Sequence, residues 1–575
     1  MCSKKELASP KRPGQEPWSG LGASGHEDER LGCIPAALAG ESHQRRIQKI
    51  LSGIEGGDIP SSASEFEDFF VDLLRAAGNY RGGGQLRIQR LTTFLAHDRA
   101  FSTTTLPFLA SVAMRIQVLF PQGLKHMTRL RQSTHLRRIQ VLCLMAASFF
   151  GIIPQNQRKL LRAWGRLRLN ALDMHHRGFL EREPKLKAAL IYFNSMRKTM
   201  GTCWQQMLKD SDFTQARCTA TCLCQEITFD GKTRNVSPAD EIISFYLHTP
   251  AATTFEGPEG ESVSRDEVDV NTIITQPLPL PDATVDIYGD ITKSDGDLQV
   301  DFADMYVGGL SMWEGHVAQE ELIFALRPEL HVIMLFMSAM KDDEAVVVKG
   351  AESFVLYSGY EGTFQVFPPV VPVGSHWSIH GYTPLDSMGR RETTVVAIDA
   401  IIVKNEREQY STPSMKREIL KAALGFQGDP FEDAIHATRA GVATGKWGCV
   451  IFGGDNELKT LMQWISAAAA GRELHYKAFG DTRLSHMQVT LHAIREKFPT
   501  TRDLFEAIVQ SVQQREERPN GCCSTILLAS SAMGSNNEYD QPRVPTVLGS
   551  GICAIPNPGG RAHPTGAWES LRDRS

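Results

Sequence analysis

Residues 298–326 have the sequence LQVDFADMYVGGLSMWEGHVAQEELIFAL, and their pattern changes twice along the segment. Apolar residues at positions 298, 300 and 302 alternate with polar ones, which is the two-residue period of a β-strand. The pair Gly308-Gly309 then predicts a sharp bend or a close approach of the backbone to a ligand. From about His316 the apolar side chains recur at helical spacing, and Pro328 closes the predicted helix.

This order of strand, loop and helix brings three carboxylates together. Glu320 and Glu321 lie in the first turn of the predicted helix, and Asp301 lies near the end of the strand. Acidic residues in a first helical turn are ordinary, because they complement the helix dipole. Two of them beside a glycine turn and a third carboxylate are less ordinary, and they make this segment a candidate site.

A second glycine-rich segment, GVATGKWGCVIFGGD, occupies residues 441–455. Asp455 is suited to cap the helix predicted after it, and Gly471 is suited to end that helix. Backbone N–H groups in such a loop, at the N-terminus of a helix, suit a diphosphate. The spacing of its glycines and lysine differs from that of a P-loop. Taken alone, a loop of this kind is more often a turn or packing feature.

Together the two segments resemble poly(ADP-ribose) glycohydrolases. The first is similar to the family signature VDFA-x-x-YVGG followed by QEE, which forms the catalytic loop, and the second to ATG-x-WGC-x-x-FGGD, the diphosphate loop. The resemblance spans most of residues 136–480. Its other segments are LMAASFFGIIP (144–154), PKLKAALIYFNSM (184–196), SGYEGTF (358–364), VAIDAII (396–402), MKREILKAALGF (415–426) and FGD (479–481).

The expected fold class is α/β. Strands and helices alternate in the second half of the chain, which favours a layered sheet, and the resemblance implies a macrodomain-like mixed sheet flanked by helices, preceded by an all-helical accessory domain. Ser64-x-x-Glu67 predicts the capping box of an early helix. The predicted domains are a disordered tail (1–44), the helical accessory domain (45–210), the macrodomain-like catalytic domain (211–535) with an acidic loop insertion (226–282), and a disordered C-terminal tail (536–575).

Individual elements of the catalytic domain can also be predicted from periodicity. The predicted strands are 284–288, 298–302, 345–349, 394–403, 448–452 and 475–479. The predicted helices lie near 316–327, 329–340, 413–424, 455–470 and 501–515.

The resemblance implies hydrolysis of the ribose–ribose O-glycosidic bond of poly(ADP-ribose), which releases ADP-ribose. Glycoside cleavage needs a proton for the leaving oxygen, and the resemblance assigns this general acid/base role to Glu321. Glu320 would hold the ribose hydroxyls, and Asp301 would support the catalytic loop. The implied substrate-binding residues are Ile291, Thr292, Asp304, Gly308, Gly309, Gln319, Tyr360, Lys446, Trp447, Gly448, Cys449, Val450, Ile451 and Phe479.

Opposed influences act on the pKa of Glu321. The helix dipole lowers the pKa of a carboxyl in the first turn, whereas a general acid at neutral pH needs it raised. The charge of Glu320 and desolvation by the bound polymer both raise the pKa. We expect these upward influences to prevail.

Several positions depart from the family pattern. Leu310 replaces the third glycine of the catalytic loop, and we expect strain there if its backbone needs a positive φ. Asp304 replaces an asparagine that contacts ribose, and Ile291-Thr292 replaces an Ile-Glu pair that frames the adenine. In the diphosphate loop, Lys446 replaces an asparagine and could help to neutralise a diphosphate, and Val450 replaces a glycine.

Composition and charge narrow the class of protein. Of the 575 residues, 42% are hydrophobic and 22% charged, and the net charge is −5, as in a soluble globular protein. No stretch approaches the ~20 apolar residues of a membrane span, so we expect no membrane contact. Eleven irregularly spaced cysteines predict a reducing compartment with free thiols. Cys218, Cys222 and Cys224 lack a second nearby pair, so we expect neither a metal nor a cofactor.

Charge is unevenly distributed, because the stretch 99–172 holds twelve Lys or Arg and no Asp or Glu. The ordinary explanation is solvated helix faces with acidic neighbours in space. The functional alternative is contact with a polyanion. The resemblance implies poly(ADP-ribose) on modified proteins as the partner and a role in the DNA damage response. The basic pairs Lys4-Lys5 and Lys11-Arg12 could belong to a nuclear address, so we predict a nuclear and cytoplasmic location, and we expect a monomer.

Three functions remain open at this point. The first is an active glycohydrolase, because Glu321, Glu320 and Asp301 are all present. The second is a catalytically impaired module that binds ADP-ribose or poly(ADP-ribose), because small errors of site geometry reduce turnover strongly. The third is an unrelated α/β enzyme such as a phosphohydrolase. The sequence gives it little support, because it shows neither a metal-binding cluster nor a nucleophile motif.

Overall fold

The computed structural model describes residues 41–79, 88–153, 183–209, 224–229, 232–312, 317–369, 383–436 and 438–516. The predicted C-terminal tail, most of the predicted N-terminal tail, Cys218, Cys222 and the second part of the basic stretch lie outside the described residues.

The elements that are described alternate as an α/β fold requires. The α-helices are α1 (Glu41–Glu55), α2 (Ala63–Ala76), α3 (Gln89–His97), α4 (Leu106–Ala113), α5 (Ile116–Leu119), α6 (Arg138–Phe149), α7 (Glu183–Met207), α8 (Val270–Thr275), α9 (Gln319–Leu326), α10 (Thr412–Phe426), α11 (Glu432–Ile435), α12 (Asn456–Ala470), α13 (Met487–Lys497) and α14 (Thr501–Glu516). The strands are β1 (Ser133–Arg137), β2 (Gln225–Phe229), β3 (Lys232–Val236), β4 (Ile242–His248), β5 (Thr253–Glu256), β6 (Ser262–Arg265), β7 (Ala283–Asp286), β8 (Leu298–Ala303), β9 (Ala345–Lys349), β10 (Leu356–Ser358), β11 (Gln365–Phe367), β12 (Thr394–Asp399), β13 (Val442–Thr444) and β14 (Leu474–Lys477).

An eight-stranded mixed sheet forms the centre, in the order β1-β4-β9-β12-β8-β13-β14-β7. The five strands from β12 to β7 run parallel to one another, and β9, β4 and β1 continue the sheet antiparallel. The mixed sheet with helices on its faces confirms the predicted fold class. Because the carboxyl ends of parallel strands meet at one edge, the loops after β7, β8, β13 and β14 converge there.

Strand β9 shows how the two faces of the sheet are covered. Val346 and Val348 pack into one hydrophobic cluster with Ile139 and other residues of the N-terminal helices. Val347, between them, packs into a second cluster with Ile419 of α10 and neighbouring helices. Alternate residues of a strand point to opposite faces, so the sheet is buried on both sides. Burying each such side chain contributes about 1.5–3 kcal/mol.

A buried charge cluster joins the helical region, which comprises helices α1 to α7, to the sheet. Arg138 begins α6 and is only 4% exposed. Its guanidinium lies 2.8 Å from Glu241, 3.1 Å from Glu329 and 2.6 Å from Glu352. These carboxylates precede β4, follow α9 and follow β9, respectively. The helical region and the sheet therefore share both a core and an ion network.

Two predicted segments contain strands of the sheet that the sequence did not predict, while the domain bounds stay predictions. The block predicted to be all-helical contains β1, which pairs with β4 at the sheet edge. The segment predicted as a loop insertion, 226–282, contains β4, which lies between β1 and β9, as well as two hairpins and α8. The acidic, Pro- and Thr-rich composition of 249–267 had outweighed the run IISFYLH in β4, whose residues 243–248 are all buried.

Three element predictions also change. Residues 448–452 form turns rather than a strand, because Gly448 and Gly453 adopt φ values of +71° and +72°. Residues 329–340 begin as a 3-10 helix, Pro328–Leu335, instead of an α-helix. The early helix is capped two residues before the predicted position: Ser62 accepts from the Glu65 N–H. The caps predicted at Asp455 and Gly471 are confirmed.

Candidate active site

The loop after β8 is held by Glu320. One of its carboxylate oxygens accepts from the Asp304 N–H at 2.9 Å, and the other accepts from the Gly308 N–H at 2.6 Å. Glu320 is 5% exposed. A carboxylate in the first turn of α9 thus fixes both ends of the 304–308 turn.

Glu321 makes an equivalent pair of contacts one step further along the loop. Its oxygens accept from the Leu310 N–H and the Ala318 N–H, each at 3.0 Å. The bond to Ala318 is the reach of a third-position glutamate back to the residue that caps its own helix. Glu321 therefore both stabilises the start of α9 and lies against the loop after β8.

Both glycines of the loop have backbone conformations that favour glycine. Gly308 has φ +100° and Gly309 has φ +46°. A Cβ on Gly308 would lie 1.9 Å from the Met334 methyl group, and one on Gly309 would lie 2.3 Å from a Glu320 carboxylate oxygen. The close approach of the backbone that the sequence predicted is thus an approach to these two side chains.

Leu310 does not carry the strain expected of it. The described non-glycine residues with positive φ are Glu361 and Phe479, so Leu310 needs no left-handed backbone. Its N–H is the donor to Glu321. A leucine is accommodated here because the turn is completed by the two preceding glycines.

Gln319 and Asp301 lie behind the loop. The Gln319 carboxamide accepts from the Phe302 N–H at 2.9 Å and donates to the Val300 carbonyl at 2.8 Å. It thereby replaces ladder bonds on the part of β8 that extends beyond its pairing with β13. Asp301 is fully buried, and neither carboxylate oxygen has a hydrogen-bond partner among the described residues. Its predicted support of the loop is therefore not a hydrogen bond to a described residue, and that role stays a prediction.

Burial raises the pKa of all three carboxyl groups. For Asp301 the charge of Glu321 adds to the effect of burial, and for Glu320 the charges of Asp301 and Glu321 add to it. For Glu321, the ammonium of Lys185 and the N–H donors of the loop lower the pKa, but burial prevails and the pKa is raised. The expected direction is confirmed, although here the protein itself, rather than a bound polymer, supplies the burial.

The second glycine loop leads from β13 into α12. Asp455 caps α12 by accepting from the Leu458 N–H at 2.8 Å, and its other oxygen accepts from the Tyr410 hydroxyl at 2.9 Å. Gly448, with its positive φ, has no room for a Cβ, which would lie 2.5 Å from the Ala400 methyl. These contacts fix a tight loop at the N-terminus of a helix, which is the arrangement that suits a phosphate group.

The predicted contacts in this loop differ in how they are placed. The Trp447 ring is fully buried and its indole N–H donates to the Ile398 carbonyl at 3.0 Å, so only its main chain can face a ligand. The Cys449 thiol donates to the Trp447 carbonyl at 3.3 Å. Val450 and Ile451 are 55% and 50% exposed. The ammonium of Lys446 lies 3.3 Å from Asp481, so an acidic group already shares its charge.

Two aromatic residues form the wall between the loops. The rings of Tyr360 and Phe479 meet edge to face, with centroids 5.3 Å apart. Tyr360 packs against the hydrophobic cluster that contains Val317 and Leu322, and the N–H of the next residue, Glu361, donates to the Val317 carbonyl at 3.3 Å, so the ring lies beside the start of α9. Burial and the charge of Glu321 raise the pKa of Tyr360. Phe479 has φ +51°, a conformation that a bulky residue rarely adopts, and such strain is concentrated at functional sites.

Ile291 and Thr292 lie on the loop after β7 and are both buried. Asp290, directly before them, accepts from the Thr292 N–H at 2.9 Å and from the Tyr357 hydroxyl at 2.6 Å. A carboxylate is therefore present two residues before Thr292, the position where the sequence predicted the loss of an acidic group. It is already engaged by protein groups.

These elements lie at the same edge of the sheet. Tyr360 packs beside the start of α9 and its ring contacts that of Phe479, and the Phe479 N–H donates to the Gly289 carbonyl of the β7 loop at 3.2 Å. A Cβ on Gly445 would lie 3.5 Å from the Phe302 ring of β8 and 2.6 Å from the Lys477 carbonyl of β14. The loop after β8, the Tyr360–Phe479 pair and the loop 445–455 thus lie near one another at this edge of the sheet.

Two family models match this chain. The model of the macrodomain fold of poly(ADP-ribose) glycohydrolase matches residues 271–486, and the model of the helical domain of the same protein matches residues 95–208. The chain belongs to the poly(ADP-ribose) glycohydrolase family. The first match contains every predicted site residue, and the second contains α7 and Lys185.

Individual members of the family are similar over part of their length. The chain is 31% identical over 255 residues to the probable poly(ADP-ribose) glycohydrolase 2 of Arabidopsis thaliana, and 35% identical over 218 residues to poly(ADP-ribose) glycohydrolase 1 of Caenorhabditis elegans. These alignments cover 38% and 36% of this chain and 47% and 27% of the relatives. The chain therefore spans half or less of the length of these glycohydrolases.

Some residues around the candidate site could not be found from the sequence. Lys185 donates to the Leu310 carbonyl at 3.1 Å from the distant helix α7. Beneath the glycine loop, the ammonium of Lys459 pairs with Glu418 and lies 4.6 Å from the centre of the Trp447 ring. Asp290 had a local signal, since it precedes the Ile-Thr pair. The two lysines had none, because their partners are remote in sequence.

The basic stretch has acidic neighbours in its described part. Arg115 lies 3.5 Å from Glu55, and Arg129 lies 2.5 Å from Asp343 and 2.8 Å from Glu344. These pairs agree with the ordinary explanation of the charge run. None of the described helices is both long and apolar enough to cross a membrane, and no cluster of His, Cys, Asp or Glu suited to a metal occurs among the described residues.

Proposed function

We propose that the chain hydrolyses the ribose–ribose O-glycosidic bonds of poly(ADP-ribose) and releases ADP-ribose. The observation that carries this proposal is the state of Glu321. Glu321 is 5% exposed, its carboxyl accepts a hydrogen bond from the Leu310 N–H in the loop after β8, and its pKa is raised. A carboxyl that keeps its proton toward neutral pH can serve as a general acid.

In the proposed reaction Glu321 gives its proton to the leaving 2′-oxygen as the bond from that oxygen to the anomeric carbon breaks. The sugar passes through an oxocarbenium-like state. The resulting carboxylate then takes a proton from water, whose oxygen bonds to the anomeric carbon, and Glu321 is protonated again. Glu320 would hold the ribose hydroxyls, Gln319 would contact the substrate, and the loop 445–455 would bind the diphosphate.

Turnover of poly(ADP-ribose) tests this function directly. Purified wild type and the Glu321→Gln variant are incubated with the polymer, and free ADP-ribose is followed over time. We expect release by the wild type and a loss of at least about 100-fold in the variant, the range of a removed general acid. Glu496→Gln is the control, because the Glu496 side chain, near the end of α13, is 72% exposed. Equal turnover by Glu321→Gln would contradict the role of Glu321.

A binding module is the second candidate, and one observation favours it. Two N–H groups donate to the Glu321 carboxyl, and such bonds stabilise the charged form that cannot give a proton. In the same assay, tight binding of ADP-ribose by the wild type without release of product would support this reading. Absence of both binding and release would contradict both candidates.

The wider biological roles are proposed with the activity. A chain that acts on poly(ADP-ribose) has modified proteins as its partners, and this motivates the proposed nuclear and cytoplasmic location and the role in the DNA damage response. Contact of the basic stretch 99–172 with a polyanion and a monomeric state are part of the same proposal. Fractionation of cells that express the tagged chain tests the location, and its mass in solution tests the monomeric state.

A further inference from the structure

Lys185 occupies an unusual place for a lysine. It lies in the first turn of α7 and is only 3% exposed. The helix dipole opposes a positive charge at this end of a helix, and burying an ammonium costs free energy unless other groups compensate. The contacts of this side chain must therefore explain why a lysine is found there.

Those contacts lead to the catalytic loop. The Lys185 ammonium donates to the Leu310 carbonyl at 3.1 Å. The backbone N–H of Leu310 in turn donates to the Glu321 carboxylate at 3.0 Å. Leu310 is thus held between a cation of the helical region and the proposed general acid. A shift of Lys185 would move the residue that orients Glu321.

We propose that Lys185 is a positioning residue for hydrolysis, through which the helical region orients the catalytic loop and places a positive charge beside Glu321. This inference rests on the proposed function of Glu321. It gives the helical region a part in the reaction beyond its contribution to the core.

The groups around Glu321 make the effect of this charge measurable. Asp301 on β8 and Glu320 on α9 are buried with raised pKa values, and burial with the charge of Glu321 raises that of Tyr360. His331, after α9, has its pKa lowered to about 4 by burial, so it is neutral near pH 7. Among the causes that lower the pKa of Glu321, the charge of Lys185 is the largest.

The sign of the expected pH effect follows from these charges. A general acid is active while protonated, so the alkaline limb of kcat/KM reports its loss of the proton. Removing a nearby positive charge raises the pKa of a carboxyl. The alkaline limb should therefore move to higher pH when Lys185 is made neutral.

The experiment compares the pH profiles of poly(ADP-ribose) hydrolysis for wild type, Lys185→Met, Lys185→Arg and Lys187→Met. We expect Lys185→Met to shift the alkaline limb upward by about 1 pH unit and to lower kcat about 10-fold with a smaller change in KM, because the loop is misplaced. Lys185→Arg keeps the charge and should keep the wild-type limb. Lys187 is exposed on the same helix, its ammonium 5.6 Å from the centre of the Phe367 ring, and its variant should match the wild type.

Each outcome decides between the two levels of the proposal. Absence of ADP-ribose release by both wild type and Lys187→Met would overturn the proposed function, and this inference with it. An active wild type with an unmoved limb in Lys185→Met would overturn the inference alone, even if kcat fell. If Lys185→Met does not fold, as judged by its thermal midpoint, Lys185→Gln carries the same test, because it is neutral and can still donate to Leu310.

Discussion

Gly309 shows at the scale of one residue how the loop depends on missing atoms. In Gly309→Ala the new Cβ would lie 2.3 Å from the Glu320 oxygen that accepts from the Asp304 N–H, and this oxygen must then move away from its donor. We expect turnover of poly(ADP-ribose) to fall at least about 100-fold, since misplacements of ~1 Å have effects of this size. The fold should survive, because the displaced atom ends a side chain. Initial rates and thermal midpoints measure the two effects.

Gly260→Ala is the matched control for this variant. Gly260 also has a positive φ, +92°, but a Cβ there would meet no atom within 4 Å. Both variants therefore share the backbone strain of about 1 kcal/mol, and only Gly309→Ala disturbs Glu320. Equal loss of turnover in the two variants would contradict the explanation.

Asp301 offers a prediction about stability and pH. Burial and the charge of Glu321 raise its pKa well above the usual value, so the folded state retains a proton that the unfolded chain releases above about pH 4. This group therefore lowers the free energy of unfolding as pH rises from about 4 toward the folded-state pKa, by about 1.4 kcal/mol per unit. Asp301→Asn removes that dependence.

We expect the stability of Asp301→Asn relative to wild type to increase from pH 4 to pH 8, as measured by urea denaturation at each pH. Asp72→Asn, at a carboxylate whose side chain is 59% exposed, serves as the comparison and should show little change. A difference between Asp301→Asn and wild type that stays constant with pH would show that the Asp301 carboxyl does not hold its proton in the folded chain.

What the sequence could predict at this scale depended on the range of the contact. The caps at Asp455 and Gly471 were predictable, because a cap is set by a few neighbouring residues. The prediction of backbone strain at Leu310 was wrong, since the φ of Leu310 depends on how Gly308 and Gly309 complete the turn. The contact of Lys185 could not be predicted, because its partner Leu310 is 125 residues away in the sequence.

At the scale of elements, prediction succeeded where periodicity was strong and failed where glycines interrupted it. Strands β8 and β9 lie at the predicted positions, since apolar and polar residues alternate in β8 and β9 is a short apolar run. Residues 448–452 have the apolar content of a strand, but positive φ at Gly448 and Gly453 turns the chain instead. Strand β4 was missed because its flanks are acidic and rich in turn-forming residues. Its place in the sheet is set by β1 and β9.

The junction of the glycine loop and α12 gives a prediction at this scale. Asp455→Ala removes the cap of α12 and the partner of the Tyr410 hydroxyl, so we expect a loss of about 1–2 kcal/mol of stability. Asp455→Asn retains a good cap and should stay close to wild type. Because the loop 445–455 is anchored by this cap, affinity for ADP-ribose should fall in the alanine variant, as measured by calorimetric titration.

Ser411→Ala separates the effect on the loop from a general effect of uncapping. Ser411 caps α10 by accepting from the Ser414 N–H at 3.3 Å, and its loss should destabilise the chain to a similar extent. Affinity for ADP-ribose should then be unchanged. A similar drop of affinity in both variants would show that stability alone, rather than the loop geometry, determines binding.

At the scale of the whole molecule, the helical region and the sheet should unfold together. They share one hydrophobic cluster, and Arg138 of α6 pairs with carboxylates that flank the sheet. Separate unfolding would expose that cluster and leave buried charges unpaired, which is strongly unfavourable. Native-state hydrogen exchange should therefore give similar opening free energies for the amides of α6 and those of β12.

Arg138→Met tests this coupling most sharply. The substitution leaves Glu241, Glu329 and Glu352 without the guanidinium that lies among them, and we expect a loss of about 3–5 kcal/mol. Because the unit is cooperative, protection should fall by the same amount in α6 and in β12. Arg75→Met is the control: this arginine of α2 is 54% exposed and lies 3.4 Å from the exposed Asp72, so its loss should cost less than about 1 kcal/mol. A fall confined to α6 would mean that the helices open independently, and that the sheet alone maintains the edge that carries Glu321 and the loop 445–455.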